Sequence, residues 1–168
     1  MDGIVGIYSP ADNALVNKAF LATGACQHRG KASTGLAVGT GKDIYLYKGL
    51  GRIAEVIDLN VIRMLQHLEP VAAIGNIGYT KRKIAEKMNV EPIEIFPKSH
   101  SHLKVVVTMD GYLIQGNDLK AELETDYKFR TDNKTEIVGA LLHKYLTEDG
   151  FTFQAGERLI DKLHGRGT

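Results

Sequence analysis

The chain has 168 residues, 43% of them apolar and 24% charged, and a formal net charge of +1. That length supports one domain, residues 1–168, with a real hydrophobic core. The near-neutral balance gives no electrostatic reason to expect nucleic acid or a membrane surface as a partner. A single cysteine, Cys26, excludes an internal disulfide framework and suits a reducing cytoplasm. No apolar run is long enough to span a bilayer, no signal-peptide pattern is present, and no C-x-x-C or H-E-x-x-H pair points to a metal. No cofactor is expected.

In chain order, Gly3 to Tyr8 (GIVGIY) is a short apolar run ended by Ser9-Pro10, which predicts a buried strand. Asp12 or Asn13 can cap a helix carrying Leu15, Val16, Ala19, Phe20 and Ala22, closed by Gly24. Ser33 to Gly39 and Asp43 to Lys48 read as a hairpin around Thr40-Gly41. Gly49, Gly51 and Ala54 then match G-x-G-x-x-A after a strand, which raises a nucleotide-binding domain as an alternative. The preceding hairpin is not the first strand of a parallel βαβ unit, so a plain connection to the next helix is the better reading.

Leu59 to Leu68 has the spacing of an amphipathic helix, and Val71 to Asn76 is a buried strand. Pro92 to Phe96 is extended, and Pro97 to His102 is a loop. Lys104 to Met109 and Tyr112 to Ile114 are expected to form a hairpin around Asp110-Gly111. Asn117 or Asp118 caps a short helix through Glu124. Asn133 to Glu136 reads as a capping box before a helix over Ile137 to Leu146, and Gly156 to Leu163 is a last short helix.

The informative stretch is Gly24 to Gly39, GACQHRGKASTGLAVG. Gln27, His28, Arg29 and Gly30 are followed by Ser33 and Gly35 and then by an apolar strand. Arg29 offers a rigid fork of donors to neighbouring carbonyls and carboxylates, and Gly30 and Gly35 suit close backbone approach. With a GIVGIY strand at the N-terminus, this stretch resembles the QHRG-x-x-S-x-G signature of class II glutamine amidotransferases, the N-terminal-nucleophile family. The resemblance runs from Asp2 to about Leu163. It implies an α+β fold, an αββα sandwich of two mainly antiparallel sheets with helices outside. In the family an L-x-G-A-Y-S stretch then opens further strands, whereas this sequence ends in Leu163 to Thr168. The sandwich is therefore expected to be incomplete at the C-terminus, or completed by another chain.

The family hydrolyses glutamine with an N-terminal cysteine whose own α-amino group is the base. Here the second residue is Asp2, a poor nucleophile towards an amide, and methionine removal before aspartate is not expected. Cys26 has no basic partner placed beside it by sequence and reads as a small buried hydrophobe. The family's R-Y-S-T-like motif matches Ile74 to Thr80, which puts Gly78 at the position of the arginine that takes the substrate carboxylate and leaves Tyr79 and Thr80. Lys81, Arg82 and Lys83 can send a cation back, or are simply solvated. The oxyanion-hole N-G matches Asp110-Gly111: Gly111 keeps its N–H, but Asp110 puts an anion where a donor is needed. The family's S-D-T-E matches Asn133 to Glu136, with Lys134 where an aspartate would hold the substrate ammonium.

No catalytic residue is therefore assigned. Asp2, Asp110 and Gly111 are degenerate catalytic positions, and Arg29, Gly78, Tyr79 and Lys134 line a degenerate substrate pocket. Asp2, Asp110 and Lys134 are expected to converge, with Lys134 pairing to one of the carboxylates. The expected function is a non-catalytic regulatory, scaffolding or ligand-sensing subunit, either a homo-oligomer or a partner of a synthase or transferase. The alternative is an active glutaminase subunit that supplies ammonia to a synthase or phosphoribosyl amidotransferase.

Overall fold

The computed structural model describes residues 2–79, 87–150, 153–163 and 165–167, the last three as backbone only. It divides into two compact units, Met1–Pro92 and Ile93–Thr168. Thr80, Lys81, Arg82 and Lys83 lie outside the described residues.

The first unit is built on a four-stranded antiparallel sheet of β1 (Gly3–Tyr8), β2 (Ser33–Gly39), β3 (Ile44–Leu50) and β4 (Ala72–Gly78), in the order β1-β4-β2-β3. Its α-helices among the described residues are α1 (Leu15–Ala25), α2 (Ile53–Val56) and α3 (Leu59–Gln66). The alternation of each strand sends Leu36, Val38, Ala73 and Ile77 to one face. There they form a core with Leu15, Val16 and Ala19 of α1 and Ile62 and Leu65 of α3. Asp58 starts α3 by accepting the N–H groups of Asn60 (2.8 Å) and Val61 (2.9 Å). The expected cap of α1 is looser: the Asp12 carboxylate accepts the Ala14 N–H at 2.9 Å, one step before the helix.

On the opposite face, Gly35 and Lys48 stand as a cross-strand pair and together hold residues 88–92. The Lys48 ammonium donates to the carbonyls of Met88 (3.2 Å), Val90 (2.6 Å) and Pro92 (3.1 Å). A Cβ on Gly35 would collide with the Glu91 carbonyl oxygen and with Pro92. The glycine is therefore required by the segment laid over it.

The G-x-G-x-x-A match leads to no βαβ unit. β3 pairs antiparallel with β2, and the helix that follows, α2, has four residues. Gly51, at φ +110°, makes the turn between them, and the Glu55 carboxylate returns to accept the Arg52 N–H at 2.8 Å.

The second unit is centred on α5 (Lys134–Asp149), with α4 (Gly116–Leu123) and α6 (Phe153–Lys162). β5 (Ile93–Glu94) pairs with β6 (Val106–Val107), and β7 (Gly111–Leu113) pairs with β8 (Gly165–Gly167), both antiparallel. Ile93, Ile95, Leu113, Leu119, Leu123, Ile137 and Leu141 are buried together as its core. The expected hairpin around Asp110-Gly111 does not form. A tight hairpin turn needs left-handed central residues, and among the described glycines only Gly51 and Gly150 have positive φ. Gly111 instead begins β7, opposite Gly167. The result is an α+β architecture of helices and antiparallel strands whose sheet is not closed.

Candidate functional site

The N-terminal end of β1, the start of β2 and the end of β4 meet at one edge of the first unit, and Asp2, Gly78 and Tyr79 stand there. Gly3 pairs with Ile77 and Ser33 with Gly78. Asp2, just ahead of β1, accepts the backbone N–H of Tyr79 at 2.9 Å through Oδ1. Its carboxylate thus satisfies a donor at the end of β4 and ties the start of the chain to the segment after that strand.

The QHRG turn, residues 26–29 of a 3₁₀ helix followed by Gly30, packs onto the same place. A Cβ on Gly30 would sit 2.5 Å from the Gly78 carbonyl oxygen and 2.9 Å from the Tyr79 nitrogen. A Cβ on Gly78 would in turn strike the Ser33 hydroxyl. Gly30, Ser33 and Gly78 therefore form one close-packed group, and the side chain at each position is limited by the other two.

Gln27 braces the turn from inside. Its amide donates to the Gly30 carbonyl at 2.6 Å and its carbonyl accepts the Ile53 N–H at 3.1 Å, joining the turn to α2. His28 meets the Ala25 carbonyl at 2.9 Å and is exposed. Cys26 is half-buried, and its Cβ lies where a methyl on Gly3 would come within 2.6 Å; the stem of Arg29 is beside it. Cys26 is thus a packing partner of the first strand.

The remaining expected residues are in the second unit. Gly111 is exposed at the start of β7, and Asp110 precedes it. Lys134 opens α5, but its ammonium donates to the Leu113 carbonyl at 2.9 Å and lies 5.0 Å from the centre of the Tyr112 ring. Asn133 caps α5 as expected, accepting the Thr135 N–H at 3.0 Å. Glu136 does not close the expected capping box. It is 2% exposed and turns to the preceding loop, accepting the Arg130 N–H (2.9 Å), the Thr131 N–H (2.8 Å) and the Thr131 hydroxyl (2.8 Å).

One constellation in the second unit has no sequence signature. His143 of α5 is 4% exposed; its Nε2 is 3.0 Å from the Ser101 hydroxyl and its Nδ1 is 2.8 Å from the Tyr127 hydroxyl. Serine, histidine and a third group in line are the pattern of an activated nucleophile, but the proton count argues otherwise. Among the described residues, the assignment that uses every proton has Tyr127 donating to Nδ1, Nε2–H donating to Ser101, and Ser101 donating to the Leu103 carbonyl at 3.5 Å. In that tautomer the histidine holds Ser101 and does not deprotonate it. Burial pushes the Tyr127 phenol up to about 12, assisted by Asp126 and Glu148, so it remains a donor. Burial also holds His143 below the ordinary histidine range, partly offset by the backbone at Leu103.

No family model matches the chain. The chain is 31% identical to the amidophosphoribosyltransferase of Archaeoglobus fulgidus, over all of this chain and 35% of that protein. It is 28% identical to the Methanocaldococcus jannaschii amidophosphoribosyltransferase, over 98% of this chain and 34% of that protein. It thus spans about a third of the length of these curated relatives. Among solved structures, the glutamine phosphoribosylpyrophosphate amidotransferase of B. subtilis, complexed with ADP and GMP, superposes over 99% of this chain with a TM-score of 0.71 and 22% identity. A structure described as the allosteric regulatory enzyme of purine biosynthesis superposes with a TM-score of 0.76, also at 22% identity.

Proposed function

We propose that this chain, whose relatives are amidophosphoribosyltransferases and whose fold is that of their glutamine amidotransferase domain, is a non-catalytic member of that fold. In this reading it is a regulatory, scaffolding or ligand-sensing subunit in the cytoplasm, and it works as a homo-oligomer or beside a transferase. The observation that carries the reading is Asp2. It stands where the family resemblance puts the thiol, and its carboxylate is occupied with the Tyr79 N–H.

The chemistry agrees. A carboxylate that attacks an unactivated amide forms an adduct that expels carboxylate more readily than amine, so nothing accumulates. Asp110, at the position of the oxyanion donor, would raise the energy of a developing negative charge. Gly78 offers no cation to a substrate carboxylate, and the Lys134 ammonium would repel a substrate amine. Arg29, Gly78, Tyr79 and Lys134 are in this reading the remains of a glutamine pocket.

Purified protein incubated with glutamine is expected to release no glutamate above the uncatalysed rate. Asp2→Cys alone is expected not to confer turnover, because Gly78, Asp110 and Lys134 are unchanged. Glutamate release at an ordinary enzymatic rate, on the order of 1 per second or faster, would contradict the reading.

A further inference from the structure

The geometry points to β1 as a self-pairing edge, through which two copies of this chain join their sheets across a two-fold axis. This rests on the oligomeric part of the reading above and not on the absence of glutaminase activity. β1 is an end strand of its sheet, paired only with β4 among the described residues. Exposed edge strands are normally protected by a lysine, a proline, a bulge or a short length. β1 has none of these: it runs six residues as GIVGIY, without a charge, and pairs with β4 in continuous register.

The side chains favour a second copy as the occupant. Ile4, Gly6 and Tyr8 fall on the same face, Ile4 at 36% and Tyr8 at 77% exposure. A Cβ built on Gly6 meets nothing within 4 Å. An antiparallel pairing of β1 with itself, centred on Gly6, sets Gly6 against Gly6 at the axis. It also sets Ile4 of each copy against Tyr8 of the other. Aromatic and β-branched residues directly opposite are a favourable cross-strand pair, and the glycines leave room on that face for the Tyr8 rings. The interface is isologous, as a closed dimer requires. Six-residue strands bury less than the roughly 1,000 Å² of a permanent interface, so the dimer is reversible and depends on concentration.

Light scattering on the full chain across a concentration series is expected to show the mass rising from 18.5 kDa towards twice that value. Gly6→Lys places a charge in open space, so it should keep the circular dichroism of the parent while remaining monomeric at every concentration. Gly6→Cys should give, on mild oxidation, a dimer whose disulfide maps by peptide mass spectrometry to position 6 and not to Cys26. A chain that stays monomeric throughout would overturn the proposal, as would a dimer that survives both Gly6→Lys and Tyr8→Glu. Those results leave the glutaminase question untouched, and glutamate release would leave this interface untouched.

Discussion

At the scale of single residues, the signature stretch is explained by close packing more than by reactive groups. Gly30 is a glycine because the Gly78 carbonyl lies where a side chain would begin. Gly30→Ala is therefore expected to cost about 1–3 kcal/mol, the usual range for forcing atoms into a filled interior. Gly6→Ala, with open space at its Cβ, should cost well under that, and chemical denaturation of the pair makes the comparison. Glu136 is the second such residue. Its carboxylate is almost fully buried and takes the donors of Arg130 and Thr131, so Glu136→Gln, which loses the charge and an acceptor, should destabilise by about 1–3 kcal/mol. The spacing of Asn133 to Glu136 suggested a box that closes on itself. The direction the glutamate takes depends on the loop at 130–131, which periodicity does not describe.

At the scale of elements, the sequence is most legible where a pattern is local. β1, β2 and the helices α1, α3 and α5 follow from runs and spacing that nearby residues enforce. The partner of β7 was not legible, because β8 comes from the far end of the chain and three consecutive residues leave no periodic mark. The Ser101–His143–Tyr127 chain was hidden for the same reason: a loop, a β-bridge residue and a helix meet only in the folded unit. That chain makes the second unit sensitive to acid. His143 binds its proton less readily folded than unfolded, so the unfolded state takes up more protons as pH falls below about 6.5. Stability contributed by neutral His143 is then fully present above that pH. It is lost as pH falls from there towards the folded value, and levels off below it. Thermal melts across pH 7.5 to 5 should show this decline, and His143→Gln should flatten it; an unchanged slope in the variant would exclude the histidine as its source.

For the whole molecule, the sequence and the fold agree on an amidotransferase-like domain, and the proposal of a non-catalytic member rests on the residues that the resemblance puts at its reactive positions. Of the signature stretch, Gly30 and Gly35 are accounted for by the backbone laid against them. In the proposed reading Asp2, Gly78, Asp110 and Lys134 stand where glutamine would be met; Asp2 accepts the Tyr79 N–H and Lys134 donates to the Leu113 carbonyl. The sequence names the positions of the proposed site only through the family resemblance. What those side chains do instead was not legible, since a hydrogen bond to backbone leaves no trace in spacing. Glutamate release from glutamine by the purified chain and by Asp2→Cys decides whether this domain is catalytic. No turnover above background is expected for either. Turnover by the unaltered chain at an ordinary enzymatic rate, on the order of 1 per second, would contradict the proposal.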